Sequence, residues 1–326
     1  MLNIALLGAG HISGKMARTL VAMRDEGIVA PYAVASRDLA KAQAFAKEFG
    51  IAKAYGSYLD AVKDPAVDLV YVGTPNSHHY EHVRLCLEHG KHVLCEKPFT
   101  ANAAQAESLI AFARERGLFL QEAIWLRFLP AIQRIREVVT SGEIGTPRFI
   151  EAAFSIPMLA KERIINPALG GGTLLDLGIY PLTFALYLFG ENYEKLSGTA
   201  HLSASGVDEQ ETFTLTYADG RMATITSSYS ALAGAFGRVS GTEGRIEVDP
   251  LVRCEGFRII KPDGTVQTET LPFDHTGYEY EVRAAAAAIA AGKLECDEAP
   301  QFSTLFTLHT MDTLRRMWGV KFPFEV

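Results

Sequence analysis

Cysteine is scarce in this chain. Its 326 residues include four, Cys86, Cys95, Cys254 and Cys296. None forms a CxxC pair or stands beside histidines at zinc spacing, so neither a disulfide framework nor a metal site is expected. Scattered thiols of this kind fit a reduced, cytoplasmic protein. Positive charge is also short, with 31 Lys and Arg against 38 Asp and Glu and a net charge of −7. That balance argues against a nucleic-acid partner and leaves room only for a local basic pocket. No uninterrupted apolar run reaches the roughly 18 residues of a membrane helix, so no membrane span is expected. The opening Met1-Leu2-Asn3-Ile4 has no basic leader and runs straight into a strand and a glycine loop, unlike a signal peptide.

What is present is ordinary globular protein, 48% hydrophobic and 21% charged, with length enough for two cores. The first 120 or so residues alternate short apolar runs with helical patterns, which predicts βαβ units and a parallel sheet. Strands are expected over 3–7, 28–35, 69–73, 92–95 and 119–122, and helices over 13–23, 39–49 and 80–89. Beyond Glu122 the texture changes. Helices over 125–141 and 172–189 are followed by strands of period-two alternation at 149–156, 197–203, 212–217, 222–228, 245–248, 257–261 and 266–271. Asp219-Gly220 supplies a hairpin turn. Helices over 278–291 and 304–318 close the chain. The expected architecture is an α/β Rossmann domain over 1–121 and an α+β domain over 122–326 with a large, mostly antiparallel open sheet.

Gly8-Ala9-Gly10-His11-Ile12-Ser13 follows a strand and opens a helix, the context of a dinucleotide fingerprint. Gly8 permits the tight turn, and Gly10 lets a pyrophosphate approach the helix N-terminus. The third position carries Ser13 instead of Gly or Ala. The second strand ends in Ala35-Ser36-Arg37, where an NAD site normally places an acid for the ribose hydroxyl. Ser36 leaves room and Arg37 offers a guanidinium, so NADP (NADPH) is expected over NAD, with Lys41 adding charge. The alternative is that Asp38 supplies the acid two residues on.

Cys95-Glu96-Lys97-Pro98 lies just after a strand, at the edge where α/β sheets bind ligands. Gly170-Gly171-Gly172 leads into a helical run that sets Asp176 and Tyr180 four apart. His78, His79 and His82 share helical spacing, but no acid or thiol joins them, and no metal is expected.

These segments, with Thr74-Pro75-Asn76-Ser77-His78-His79, resemble the Gfo/Idh/MocA oxidoreductases in order and interval over nearly the whole chain. Tyr55-Gly56-Ser57-Tyr58 and the run from Gln121 to Pro130 are similar to the branch of dimeric dihydrodiol dehydrogenases and NADP-linked D-xylose dehydrogenases. The resemblance implies hydride transfer between nicotinamide and a carbinol or carbonyl carbon of a sugar, polyol or vicinal diol. It implies Tyr180 as acid/base, Lys97 as the cation that tunes the phenol and orients the nicotinamide ribose, and Asp176 as a partner of substrate or of Lys97. Cofactor contacts would come from Gly8, Gly10, His11, Ile12, Ser36, Arg37, Lys41, Thr74, Asn76, His79, Glu96 and Lys97. Trp125, Arg148 and Phe154 would line the substrate pocket. Relatives commonly pair through the open face of the second sheet, so a homodimer or higher homo-oligomer is expected. The competing expectation is a catalytically silent sensor that keeps the fold and the nucleotide site.

Overall fold

The computed structural model describes residues 1–325 and divides into two compact units. One comprises Met1–Trp125 with Asp274–Leu305, the other Leu126–Phe273 with Phe306–Val326.

The first unit is built on six parallel strands: β1 (Leu2–Leu7), β2 (Val29–Ala35), β3 (Lys53–Tyr55), β4 (Leu69–Val72), β5 (His92–Glu96) and β6 (Leu120–Ala123). Their order, β3-β2-β1-β4-β5-β6, is the doubly wound arrangement, and it reverses direction between β1 and β4. Helices α1 (His11–Ala22), α2 (Leu39–Phe49), α3 (Tyr58–Lys63), α4 (His79–Glu88) and α5 (Ala103–Glu115) connect the strands. β4 is buried throughout, as an apolar strand of a parallel sheet should be.

The domain boundary read at 121/122 differs from the compact division, because residues 274–305 return to the first unit. Buried and half-buried polar groups tie them there. The Gln121 amide accepts from the Cys296 N–H at 2.9 Å and donates to the Ala299 carbonyl at 2.8 Å. Thr304 donates to Glu122 at 2.7 Å, and Arg283 donates to Glu26 twice, at 2.9 and 2.7 Å.

In the second unit α6 (Pro130–Ser141), the short α7 (Glu162–Ile165) and α8 (Ile179–Phe189) accompany eight strands. These are β7 (Pro147–Ser155), β8 (Lys195–Leu202), β9 (Asp208–Thr216), β10 (Met222–Ser228), β11 (Gly234–Gly241), β12 (Arg245–Val248), β13 (Gly256–Ile260) and β14 (Val266–Thr270). Their order is β14-β13-β12-β11-β7-β10-β9-β8, antiparallel except where β7 and β10 run parallel. One face is apolar and packs beneath α8, every residue of which is buried. Gly237 in β11 lets Phe184 of α8 lie flat on the sheet, since a Cβ there would stand 2.8 Å from that ring.

The other face carries Met222, Thr224, Thr226, Glu151, Phe236 and Arg238, in register across β10, β7 and β11. Its threonines pair across strands, Thr212 with Thr226 at 3.1 Å and Thr214 with Thr224 at 3.3 Å. Arg238 bridges Glu151 and Glu247. Among the described residues one helical run, Pro167–Phe189, is long and apolar enough by composition to cross a membrane. Asp176 interrupts it, and its most apolar window is wholly buried within the protein, as a core helix would be.

Candidate active site

The nucleotide end of the first unit follows from its glycines. Gly8 has φ +98°, a left-handed conformation, and a Cβ there would press on the Gly73 carbonyl at 3.0 Å. Gly10 caps α1 without a side chain, and a Cβ there would meet nothing within 4 Å. No acid occupies the first turn of α1. An open, positive helix start of this kind fits a pyrophosphate. Exposed His11 and half-buried Ile12 stand on the same turn.

The departure at Ser13 has a structural counterpart. Ser13 is fully buried against Gly73 at the end of β4, whose own Cβ would stand 2.5 Å from the serine hydroxyl. The close helix–strand approach that the fingerprint normally obtains from its third glycine is here shared with Gly73.

At the end of β2, Ser36 is buried and accepts from the Asp38 N–H at 3.3 Å. Asp38 accepts from the Lys41 N–H at 3.2 Å, which makes it the N-cap of α2. The Arg37 and Lys41 side chains are exposed. The field of Arg37 reaches His82, whose pKa is pushed down to about 4, first by burial and then by His78, His79 and Arg37. Thr74 bonds the His82 ring at 2.9 Å, and Asn76 lies in the turn that follows.

His79 and Glu96 have supporting positions. The two His79 ring nitrogens lie 2.9 and 2.8 Å from the carbonyl oxygens of Pro98 and Thr74, and the ring is fully buried. Burial lowers its pKa, and a neutral ring can donate to only one carbonyl at a time. The Glu96 carboxyl is also buried, accepting from the Tyr71 hydroxyl at 2.5 Å and from the Lys97 N–H at 3.2 Å. Burial raises its pKa against the pull of those partners. Glu122 accepts from the Phe99 N–H at 3.0 Å. His79, Glu96 and Glu122 therefore fix the backbone on both sides of Lys97, which is itself half-buried. Trp125 is 3% exposed and stacks on Tyr278 with ring centroids 4.4 Å apart.

In the second unit, Gly172 turns the chain at φ +114° into a π-helical turn, Leu174–Gly178, that carries Asp176 and runs into α8 with Tyr180. π turns often mark functional positions, because the widened turn re-aims its side chains. Asp176 is buried and ion-pairs with Arg163 of α7 at 2.5 Å. Tyr180 is 8% exposed, with Phe154 of β7 edge-on to its ring at 5.8 Å.

Arg148 does not join this group. It lies exposed near the start of β7, six residues before Phe154, which is about 20 Å at the rise of a strand. Arg163 was not singled out in the sequence, since an arginine in Lys161-Glu162-Arg163 reads as a solvated charge. Among the described residues no cluster of His, Cys, Asp and Glu has the arrangement of a metal site.

Residues 2–124 match a family model described as an oxidoreductase family with an NAD-binding Rossmann fold, and residues 132–247 match the Gfo/Idh/MocA C-terminal domain. The trans-1,2-dihydrobenzene-1,2-diol dehydrogenase of Bos taurus is 36% identical, over 99% of this chain and 98% of its own. An aldose-aldose oxidoreductase from Caulobacter crescentus, solved with glycerol, is 26% identical with TM-score 0.87, over 97% of this chain and 96% of its own. A 3-ketoreductase from Actinomadura kijaniata, solved with NADP and TDP-benzene, is 28% identical with TM-score 0.86, over 97% of each chain. With a glycine turn opening a parallel sheet, a lysine turn behind β5 and an Asp–Tyr helix over a mostly antiparallel one, the chain belongs to the Gfo/Idh/MocA family of oxidoreductases.

Proposed function

We propose that this oxidoreductase uses NADP and transfers hydride between the nicotinamide and a carbinol or carbonyl carbon of a sugar, polyol or vicinal diol. The observation that carries the reaction is the survival of the whole set Lys97, Asp176 and Tyr180. Tyr180 is held against Phe154 in a buried helix, and Lys97 is braced on both sides. A sensor that had lost catalysis has no chemical need of that set.

When bound, the nicotinamide supplies the hydride acceptor or donor. The residues of this chain do the rest. Gly8, Gly10 and the first turn of α1, with Thr74 and Asn76 after β4, would hold the dinucleotide. Tyr180 would take the hydroxyl proton from the carbinol or return it to the carbonyl. Lys97 would favour the phenolate by charge and orient the nicotinamide ribose. Asp176 would accept from a substrate hydroxyl, and Trp125 and Phe154 would offer apolar surface to it.

NADP is favoured over NAD by the position of Asp38. One oxygen of its carboxylate caps α2, and Ser36 and Arg37 stand at the end of β2 where an NAD site carries its acid. The diol and aldose activities named for the relatives support the substrate class, and the NADP bound by the 3-ketoreductase supports the cofactor. A cytoplasmic setting, supported by four buried free cysteines, and a homo-oligomer through the outer face of the second sheet complete the proposal. The test is absorbance near 340 nm with NADP or NADPH and panels of aldoses, polyols and trans-diols. Turnover with one class supports the proposal, and silence across all panels in both directions contradicts it.

A further inference from the structure

Two carboxyl groups outside the catalytic set are buried beneath the π turn, Asp208 at 1% exposure and Glu211 at 3%. Three residues apart on a strand, they should point to opposite faces. They do not, because β9 carries a bulge. His201 of β8 pairs with Gln210 while the next residue, Leu202, pairs with Asp208, so Glu209 is an extra residue. The bulge aims both acids at the inner face. There Glu211, Ser227 and Phe154 form one row across β9, β10 and β7.

The π turn rests on this row. Asp208 accepts from the Leu174 N–H at 2.6 Å, at the first residue of the turn. Glu211 accepts from the Ser227 hydroxyl at 2.6 Å, and its other oxygen is buried without a hydrogen-bond partner. The two glycines that bracket the turn are the places where the acids press closest. A Cβ on Gly172 would stand 2.2 Å from Asp208, and one on Gly178 would stand 2.5 Å from Glu211.

We propose that Asp208 and Glu211 are positioning residues, an acid pair that clamps the π turn and thereby sets Asp176 and Tyr180 for reaction. The proposal rests on the reading of Asp176 and Tyr180 given above. Two buried carboxylates in contact cannot both ionise, so the pair holds one proton. Glu211 keeps it, with a pKa well above the usual carboxylate range through burial and then the Asp208 charge. Asp208 is the acceptor, pushed up by burial to about 6 and eased by the Leu174 N–H. The other charged or titratable groups coupled to the pair are Arg315 of the C-terminal helix and Tyr229 beyond β10, which also feels Glu209 at the bulge. Because both values are raised by folding, the shared proton stabilises the clamp at low pH and is lost as pH rises through the folded values.

The test uses the full chain with saturating NADP and compares Glu211→Gln, Glu211→Ala and Tyr180→Phe. Glu211→Gln keeps a donor toward Asp208 that cannot titrate. It should retain turnover near neutrality and lose the alkaline decline in kcat expected of the unmodified protein. Glu211→Ala should lower kcat by roughly 100-fold, the usual cost of a small misplacement, with NADP affinity unchanged. Hydrogen exchange of the segment 172–180 should quicken in Glu211→Ala and, at high pH, in the unmodified protein. Full turnover with unchanged exchange in both Glu211 variants would overturn the clamp, and a Tyr180→Phe protein that has lost turnover beside them would show that the active-site reading survives it. Should Glu211→Ala fail to fold, an unaltered alkaline limb in Glu211→Gln overturns the proposal alone. A fully active Tyr180→Phe removes the reading on which the clamp depends, and the clamp with it.

Discussion

At the scale of single residues, the proposed preference for NADP turns on three neighbours. Ser36 is small and buried, Arg37 is exposed, and Asp38 is engaged at the start of α2. A charge-assisted contact between a guanidinium and a phosphate contributes about 1.5–3 kcal/mol, or roughly tenfold to a hundredfold in affinity. Arg37→Ala should therefore weaken NADPH by that margin and leave NADH nearly unchanged. Ser36→Asp should reverse the preference, because a carboxylate there repels a phosphate and accepts from a ribose hydroxyl. Fluorescence titration of both nucleotides checks the pair. Equal affinities in the unmodified protein would contradict the assignment.

At the scale of elements, the edge of the first sheet is held by one carboxylate. Asp64, the C-cap of α3, accepts from Lys53 at 2.8 Å and Tyr55 at 2.6 Å on β3, and from Tyr32 at 3.1 Å on β2. Lys53 first and Tyr55 second hold its pKa far below the ordinary carboxylate value, despite the opposing effect of burial. A depressed folded value contributes stability that is present above the unfolded pKa and is lost as pH falls toward the folded one. Asp64→Asn should thus cost a constant amount between about pH 8 and pH 5, and the gap from the unmodified protein should narrow below about pH 4. Urea denaturation across that range measures it. A gap that stays constant into acid would show that the hydrogen bonds matter and the charge does not.

Legibility in the sequence also divides by element. Helix 39–49 and strands 222–228 and 245–248 are found where their apolar periods and turn residues put them. β3 is three residues long, too short to show a period. β11 contains Gly234, Gly237 and Gly241, which read as loop; the packing of Phe184 on Gly237 is a tertiary demand that no local pattern carries. The Asp208-Glu209-Gln210-Glu211 start of β9 reads as a polar loop, because its bulge puts acids where alternation calls for apolar residues. At the site, the glycine turn, the lysine turn and the Asp–Tyr spacing are local signals and were readable. The π turn, the Arg163 partner of Asp176 and the supporting roles of His79 and Glu96 depend on what folds against them.

At the scale of the whole molecule, the outer face of the second sheet carries paired threonines and Arg–Glu bridges, with Met222 40% and Phe236 38% exposed among them. A mixed polar and apolar face of this kind suits a self-complementary twofold contact, in which each arginine can meet a glutamate of the other copy. Light scattering should give twice the chain mass at micromolar concentration, and Phe236→Glu should shift it toward the monomer. A monomer mass for the unmodified protein would contradict the sheet-to-sheet dimer.

The proposed chemistry is tested on the whole molecule as well. The most direct measurement of it is Tyr180→Phe, which removes one hydroxyl and nothing else, assayed for turnover, NADPH affinity and melting temperature on a single preparation. With Tyr180 as the acid/base, turnover falls by roughly 100- to 10,000-fold while affinity and melting temperature stay close to those of the unmodified protein. A variant that melts earlier but turns over at the original rate would contradict it, leaving Tyr180 as a core residue whose hydroxyl only secures α8.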